Sequence, residues 1–174
     1  MTRSWQAGEV LWPEEESWGS WRLRLGPNGY RGLLSKRLAS VVMSNGERER
    51  LAYQEFLRRA SGRVLCFGLG MGWSLAPLLH DPSIERLEVV ELDSELVEWV
   101  GAKLLAHDAR GVVRLHQGSA WEWSPDPKDR WDTIFLDVWH ELPLRGLQEL
   151  EERWAAKLTP GGWLGRWQPA LEKK

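Results

Sequence analysis

Residues 63–93 constrain the fold most. Val64 to Phe67 is a short, wholly apolar run rich in strand formers, the pattern of a strand buried on both faces of a parallel sheet. Gly68, Gly70 and Gly72 follow at once. Alternating glycines there let the backbone turn tightly and let a ligand approach with no Cβ in the way. Trp73 to His80 predicts a short helix with Leu75, Leu78 and Leu79 on its apolar side and Pro77 near its first turn, where a missing N–H is tolerated. A second strand, Leu87 to Leu92, carries Glu91 near its end. Strand, glycine loop, helix, strand and acid together predict a nucleotide-binding half.

The glycine spacing narrows the ligand. A dinucleotide fingerprint, G-x-G-x-x-G, needs glycine at 73, where Trp73 stands; the pattern here is G-x-G-x-G. Glu91 lies roughly 20 residues past the loop, where a ribose-binding acid belongs. The competing structural reading is a glycine-rich turn beside a solvated glutamate.

Val64–Asp93 resembles motif I and the following acidic strand of class I S-adenosylmethionine-dependent methyltransferases. The runs His80-Asp81-Pro82-Ser83-Ile84-Glu85 and Val89-Val90-Glu91-Leu92-Asp93 are similar to the spermidine-synthase-like branch. The likeness covers about residues 30 to 168. It implies an α/β fold: a Rossmann-like parallel sheet in strand order 3-2-1-4-5, flanked by helices. An N-terminal β-hairpin extension over 1–43 would precede an S-adenosylmethionine-binding domain over 44–174. It implies S-adenosyl-L-methionine as cofactor, with its methionine part on Gly68, Leu69, Gly70, Met71 and Gly72 and its adenosine at Glu91, Leu92, Ser119 and Ala120. Relatives often carry a Gly-Asp pair after the third strand, whose aspartate contacts the adenine amino group; here it reads Gly118-Ser119. Trp121 or Trp123 could stack on the adenine.

Composition bounds the function classes. A chain of 174 residues predicts one domain with a real core. A net charge of −2 argues against a general electrostatic grip on nucleic acid and points to a small-molecule acceptor. No apolar stretch nears the roughly 18 residues of a membrane span, and the N-terminus lacks a signal-peptide core. One cysteine, Cys66, excludes an internal disulfide and suits a reducing cytoplasm. The histidines at 80, 107, 116 and 140 show no metal-ligand spacing, so no metal is expected. Thirteen tryptophans are read chiefly as packing, against stacking on a base or aromatic substrate.

The rest of the chain fits the same plan. A strand is expected near Glu9–Trp12. Ser20 to Leu25 alternates, and Gly26-Pro27-Asn28-Gly29 turns it into a second strand, Tyr30 to Leu34, with a further strand over Ala39–Met43. Ser44-Asn45-Gly46-Glu47 reads as a capping box before a helix with Tyr53, Phe56, Leu57 and Ala60 on one face, ended by Gly62. In the resembled family this helix borders the substrate pocket, and Tyr53 and Gln54 fall near its Tyr-His pair. A helix follows from Ser94 to about Ala106, capped by Asp93 or Ser94, then strands at Val112–His116 and Thr133–Leu136. Asp137 follows that last strand, where ligands of open α/β sheets gather, and matches an aspartate that spermidine synthases use as base or substrate ligand. His140, three residues on, is the second catalytic candidate. A helix over Pro143–Leu158, the turn Thr159-Pro160-Gly161-Gly162 and a strand over Trp163–Trp167 complete the pattern. A full class I methyltransferase continues with a helix and an antiparallel strand pair. The shortened C-terminus leaves a sheet edge for the N-terminal strands or a homodimer partner to cover.

These features predict a methyltransferase acting on an unidentified acceptor. The alternatives are an aminopropyltransferase or a non-catalytic S-adenosylmethionine-binding module. The family's glycine loop carries an acid where Met71 stands, and a second acid after the fourth strand is replaced near His140. Both losses count against a polycationic substrate, since buried ammonium groups need paired charges.

Overall fold

The computed structural model describes residues 11–138 and 144–168, without the side chains at 144 and 145. An antiparallel meander comes first: β1 (Glu16–Trp18), β2 (Trp21–Leu25), β3 (Arg31–Ser35) and β4 (Ser40–Ser44). The alternation in β2 appears as burial of Trp21 and Leu23 beside an exposed Arg24. The hairpin turn is a 3-10 turn, Pro27–Gly29, in which Asn28 takes φ 57°. Residues 9 and 10 lie outside the described residues. The strand expected near Glu9–Trp12 is corrected in its described part, since Leu11 and Trp12 are not in a strand. Trp12 instead anchors its segment by burial, donating its indole N–H to the Met71 carbonyl at 2.8 Å.

Helix α1 (Glu47–Arg59) buries Tyr53, Phe56 and Leu57, as the spacing predicts. The capping box is corrected: Gly46 is the N-cap, with no side-chain cap bond. Ser44 ends β4 instead, its hydroxyl accepting from the Gly46 amide, and Asn45 accepts from the Arg31 amide. Gly62 does not end the helix; it opens the next strand with φ +62°.

The remaining strands, β5 (Gly62–Phe67), β6 (Ile84–Glu91), β7 (Val113–Gln117), β8 (Trp131–Leu136) and β9 (Leu158–Arg166), form a parallel sheet in order β7-β6-β5-β8-β9. This is the expected 3-2-1-4-5. The helix expected over Trp73–His80 is shorter, α2 (Ala76–Leu79). Pro77 sets its start, because proline fits only the first turn. After β6 comes α3 (Ser94–Leu96), capped by the Asp93 side chain, then a π-helical turn Val97–Gly101 and α4 (Ala102–Ala106). Helix α5 (Leu144–Ala155) precedes β9. The Thr159–Gly162 turn lies inside β9 as a wide bulge: Trp131 pairs with Leu158, and Thr133 with Trp163.

Successive residues of β5 point to opposite sheet faces. Val64 and Cys66 join a core shared with the meander and α1, and Leu65 and Phe67 a second core with Leu150 and Trp154 of α5. Trp12, Trp73, Trp131 and Trp154 are fully buried, which is the packing role expected of them. Among the described residues no helix is long and apolar enough to cross a membrane.

Candidate active site

A cavity of about 450 Å³ opens at the carboxyl ends of β5, β6 and β8. That is the switch point of the sheet, where strand order reverses. Trp21, Leu33, Val42 and Met43 of the meander form one wall. Phe67, Gly68, Glu91 and Asp137 bring the strand ends to the other.

The glycine loop is tighter than its sequence suggests. Gly68 and Gly70 take φ +95° and +51°, conformations that side chains rarely adopt. A Cβ on Gly68 would overlap the Asp137 carbonyl, and one on Gly70 would overlap the Met43 sulfur. The missing side chains therefore admit the protein's own atoms. The Met71 amide donates to Met43 Sδ at 3.2 Å. Gly68 and Gly70 line the cavity, whereas Leu69, Met71 and Gly72 lie outside its lining; Leu69 and Met71 are buried.

Glu91 sits at the mouth of this loop. Its Oε2 accepts from the Leu69 amide at 2.7 Å and its Oε1 from the Asp93 amide at 2.9 Å. Burial pushes its carboxyl above the usual range, against the pull of those amides. Leu92 beside it is 70% exposed at the cavity edge. Ser119 and Ala120 line the same side with Trp121. The Ser119 hydroxyl accepts from the Trp121 amide at 3.1 Å, and the Ala120 carbonyl accepts from the Trp154 indole at 3.0 Å. Of the two tryptophans considered for stacking, Trp121 reaches the cavity. Trp123 packs instead against His116, Phe67, Trp131 and Trp154.

Asp137 is fixed by its amide, which donates to the Phe67 carbonyl at 2.8 Å. The Tyr53 hydroxyl donates to its Oδ2. Burial, with the negative charges of Glu49 and Glu91, pushes the Asp137 carboxyl up to about 7 despite that hydrogen bond. Burial likewise pushes Glu49 up to about 7, opposed by the Trp167 indole. Tyr53 is raised well above its ordinary value by burial and by the charge on Asp137. Cys66 behind them is buried; burial and the charges of Asp137 and Glu91 hold its thiol well above the ordinary range. Its S–H donates to the Gly68 carbonyl at 3.5 Å.

Sequence reasoning missed Glu49. The signal was its position four residues before Tyr53, which puts both on one helix face. Gln54, paired with Tyr53 in the resemblance, is exposed and does not line the cavity. His140 lies outside the described residues.

No protein-family model matches the chain. Solved structures do. The glycopeptide N-methyltransferase MtfA, complexed with S-adenosylmethionine, is 27% identical with TM-score 0.53, covering 66% of this chain and 47% of its own. The CcbJ methyltransferase from Streptomyces caelestis is 21% identical with TM-score 0.55, covering 67% and 47%. Spermidine synthase from Thermotoga maritima is 16% identical with TM-score 0.65, covering 87% and 56%. The chain thus spans about half the length of these proteins. Its five-stranded parallel sheet, helices and antiparallel N-terminal strands are the Rossmann-like fold of the class I S-adenosylmethionine-dependent methyltransferases, with spermidine synthase among its structural relatives.

Proposed function

We propose that the chain is an S-adenosylmethionine-dependent methyltransferase acting on a small-molecule acceptor. The carrying observation is Glu91: a carboxylate at the end of the second parallel strand, on the cavity and tied to the glycine loop through the Leu69 amide. Its carboxylate accepts from the Leu69 and Asp93 amides, with the Gly70 amide also against it, and a carboxylate has about four acceptor positions, so one is left for a ribose hydroxyl. The Trp121 ring and Leu92 offer flat and apolar surface to a purine. A volume of about 450 Å³ is ordinary for such a site.

When bound, S-adenosylmethionine supplies a methyl group on a good leaving group. The chain's own task is then alignment of an acceptor and, where the acceptor starts protonated, proton removal. Asp137 is the group for that: near neutral pH it exists in both protonation states. Tyr53 orients it. The buried single thiol, Cys66, suits the reducing cytoplasm we infer as its compartment. We also infer that the sheet edge at β9 is where a second copy would pair; light scattering at micromolar concentration tests it, and a monomer removes it.

Aminopropyl transfer is the second reading. Glu49 favours it, because it sets beside Asp137 a second acid that the motif spacing does not reveal.

The test is calorimetric titration of ligand-free protein with S-adenosylmethionine, its decarboxylated form and NAD, each repeated on Glu91→Ala. Micromolar binding of S-adenosylmethionine, lost in the variant, is the expected result. Preference for the decarboxylated form would promote aminopropyl transfer. Binding of none of them would overturn the cofactor reading and leave a non-catalytic module.

A further inference from the structure

On that methyltransferase reading, the acceptor shares this cavity with the cofactor, and the cavity's surfaces differ in chemistry. One is acidic: Glu49 and Asp137 both line it, with the Tyr53 hydroxyl on Asp137. The other is the meander wall, apolar at Trp21, Leu33, Val42 and Met43. Arg37 is the basic residue of the described lining, and it sits at the rim. Its side chain is 68% exposed, 3.8 Å from Glu95 and donating to Ser20 Oγ at 2.9 Å. The cavity's other acids have separate work. Asp93 caps α3, and Glu91 is engaged by the Leu69 and Asp93 amides.

A neutral acceptor would leave two poorly solvated carboxylates without a counter-charge, whereas an ammonium relieves both. A polyamine brings a further ammonium a few carbons away, and no carboxylate stands among the described residues of the meander wall to meet it. A single cation on an apolar body suits both surfaces. Trp21, 6% exposed, presents its ring as part of that wall.

We infer that the acceptor is a monoamine with an apolar or aromatic body, its ammonium held by Glu49 and Asp137 and its body against Trp21 and Val42.

The test is calorimetry on protein saturated with S-adenosylhomocysteine, using 2-phenylethylamine, 2-phenylethanol and putrescine as probes. The aromatic amine is expected to bind at least about ten-fold tighter than either other probe, a difference of about 1.4 kcal/mol. Glu49→Gln, checked for folding by circular dichroism, should bring the amine down to the alcohol's affinity. Val42→Asp places a carboxylate on the apolar wall and should shift preference toward putrescine. Putrescine binding as tightly as the aromatic amine, or the alcohol matching it, would overturn the inference. The S-adenosylhomocysteine heat is read separately. If it binds and no amine does, this inference fails and the cofactor reading stands. If it does not bind, the cofactor reading fails, and the same amine series on the free protein still decides whether the acidic surface selects a cation.

Discussion

The Tyr53 hydroxyl donates its hydrogen bond to the Asp137 carboxylate, joining α1 to the end of β8 across 84 residues of sequence. The bond favours the ionised carboxylate, while burial and the charges of Glu49 and Glu91 favour the protonated one. Tyr53→Phe removes the hydrogen bond that lowers the Asp137 value and leaves the influences that raise it. The carboxyl should then titrate above about 7, followed by carbon NMR of the labelled side chain. A value unchanged or lower would show that the hydroxyl does not tune this acid. The lost bond should also cost about 1 kcal/mol of stability.

Stability should fall as pH rises through neutrality. Glu49 and Asp137 have ordinary values of 4.5 and 3.8 and both stand at about 7 in the fold. Between those limits the folded chain binds more protons than the unfolded one, so raising pH costs stability. The melting temperature of the ligand-free protein should therefore drop from about pH 5 to pH 8. Glu49→Gln and Asp137→Asn should each flatten the slope. A melting temperature that climbs over this range would contradict the assigned direction.

Two glycine substitutions should differ in a diagnostic way. Gly68→Ala meets the backbone carbonyl of Asp137, which cannot swing aside, and Gly70→Ala meets the Met43 thioether, which can. Both also carry the cost of a positive φ, about 1–2 kcal/mol. Denaturant unfolding should show Gly68→Ala as the more harmful. Met43→Ala should recover part of the Gly70→Ala loss and none of the Gly68→Ala loss. Equal rescue of both would mean that the overlap is not what matters.

Trp154 ties the second core to the cavity wall. Trp154→Phe keeps most of the packing but drops the bond to the Ala120 carbonyl, and should cost about 1 kcal/mol. Trp154→Ala also opens a void among Phe67, Trp123 and Trp131 and should cost about 3–5 kcal/mol. Hydrogen exchange at Ser119–Trp121 should quicken in both. Unchanged exchange there would separate the core from the loop.

The legible part of the fold was its periodic part. Val64–Phe67, the alternation at Trp21–Leu25 and the face formed by Tyr53, Phe56 and Leu57 each state their burial in the order of their residues. What failed was local chemistry decided by tertiary partners. Ser44 resembled a helix cap yet is the last residue of a strand, because Gly46 takes the cap position. Leu11 and Trp12 are buried without joining a ladder, since an indole bond to Met71 holds them. In the site, Glu91 and Asp137 were readable because each follows an apolar run at a sheet's carboxyl end. Glu49 was harder to read: within a solvated-looking Glu-Arg-Glu-Arg stretch, its spacing of four residues from the inward-facing Tyr53 is the one mark that turns it inward.

Cys66 lies in the central strand with its thiol held protonated by burial and by the acids at the strand ends. Only the thiolate reacts with electrophiles. A thiol reagent therefore cannot label the closed molecule at a useful rate, and modification must wait for the sheet to part. The single cysteine is thus a built-in clock: its labelling rate reports how often the middle of the molecule opens. Any compound that fills the cavity and holds the strands together should slow that clock, whatever its chemical nature. Ligands can thus be screened by their effect on labelling before any turnover has been measured.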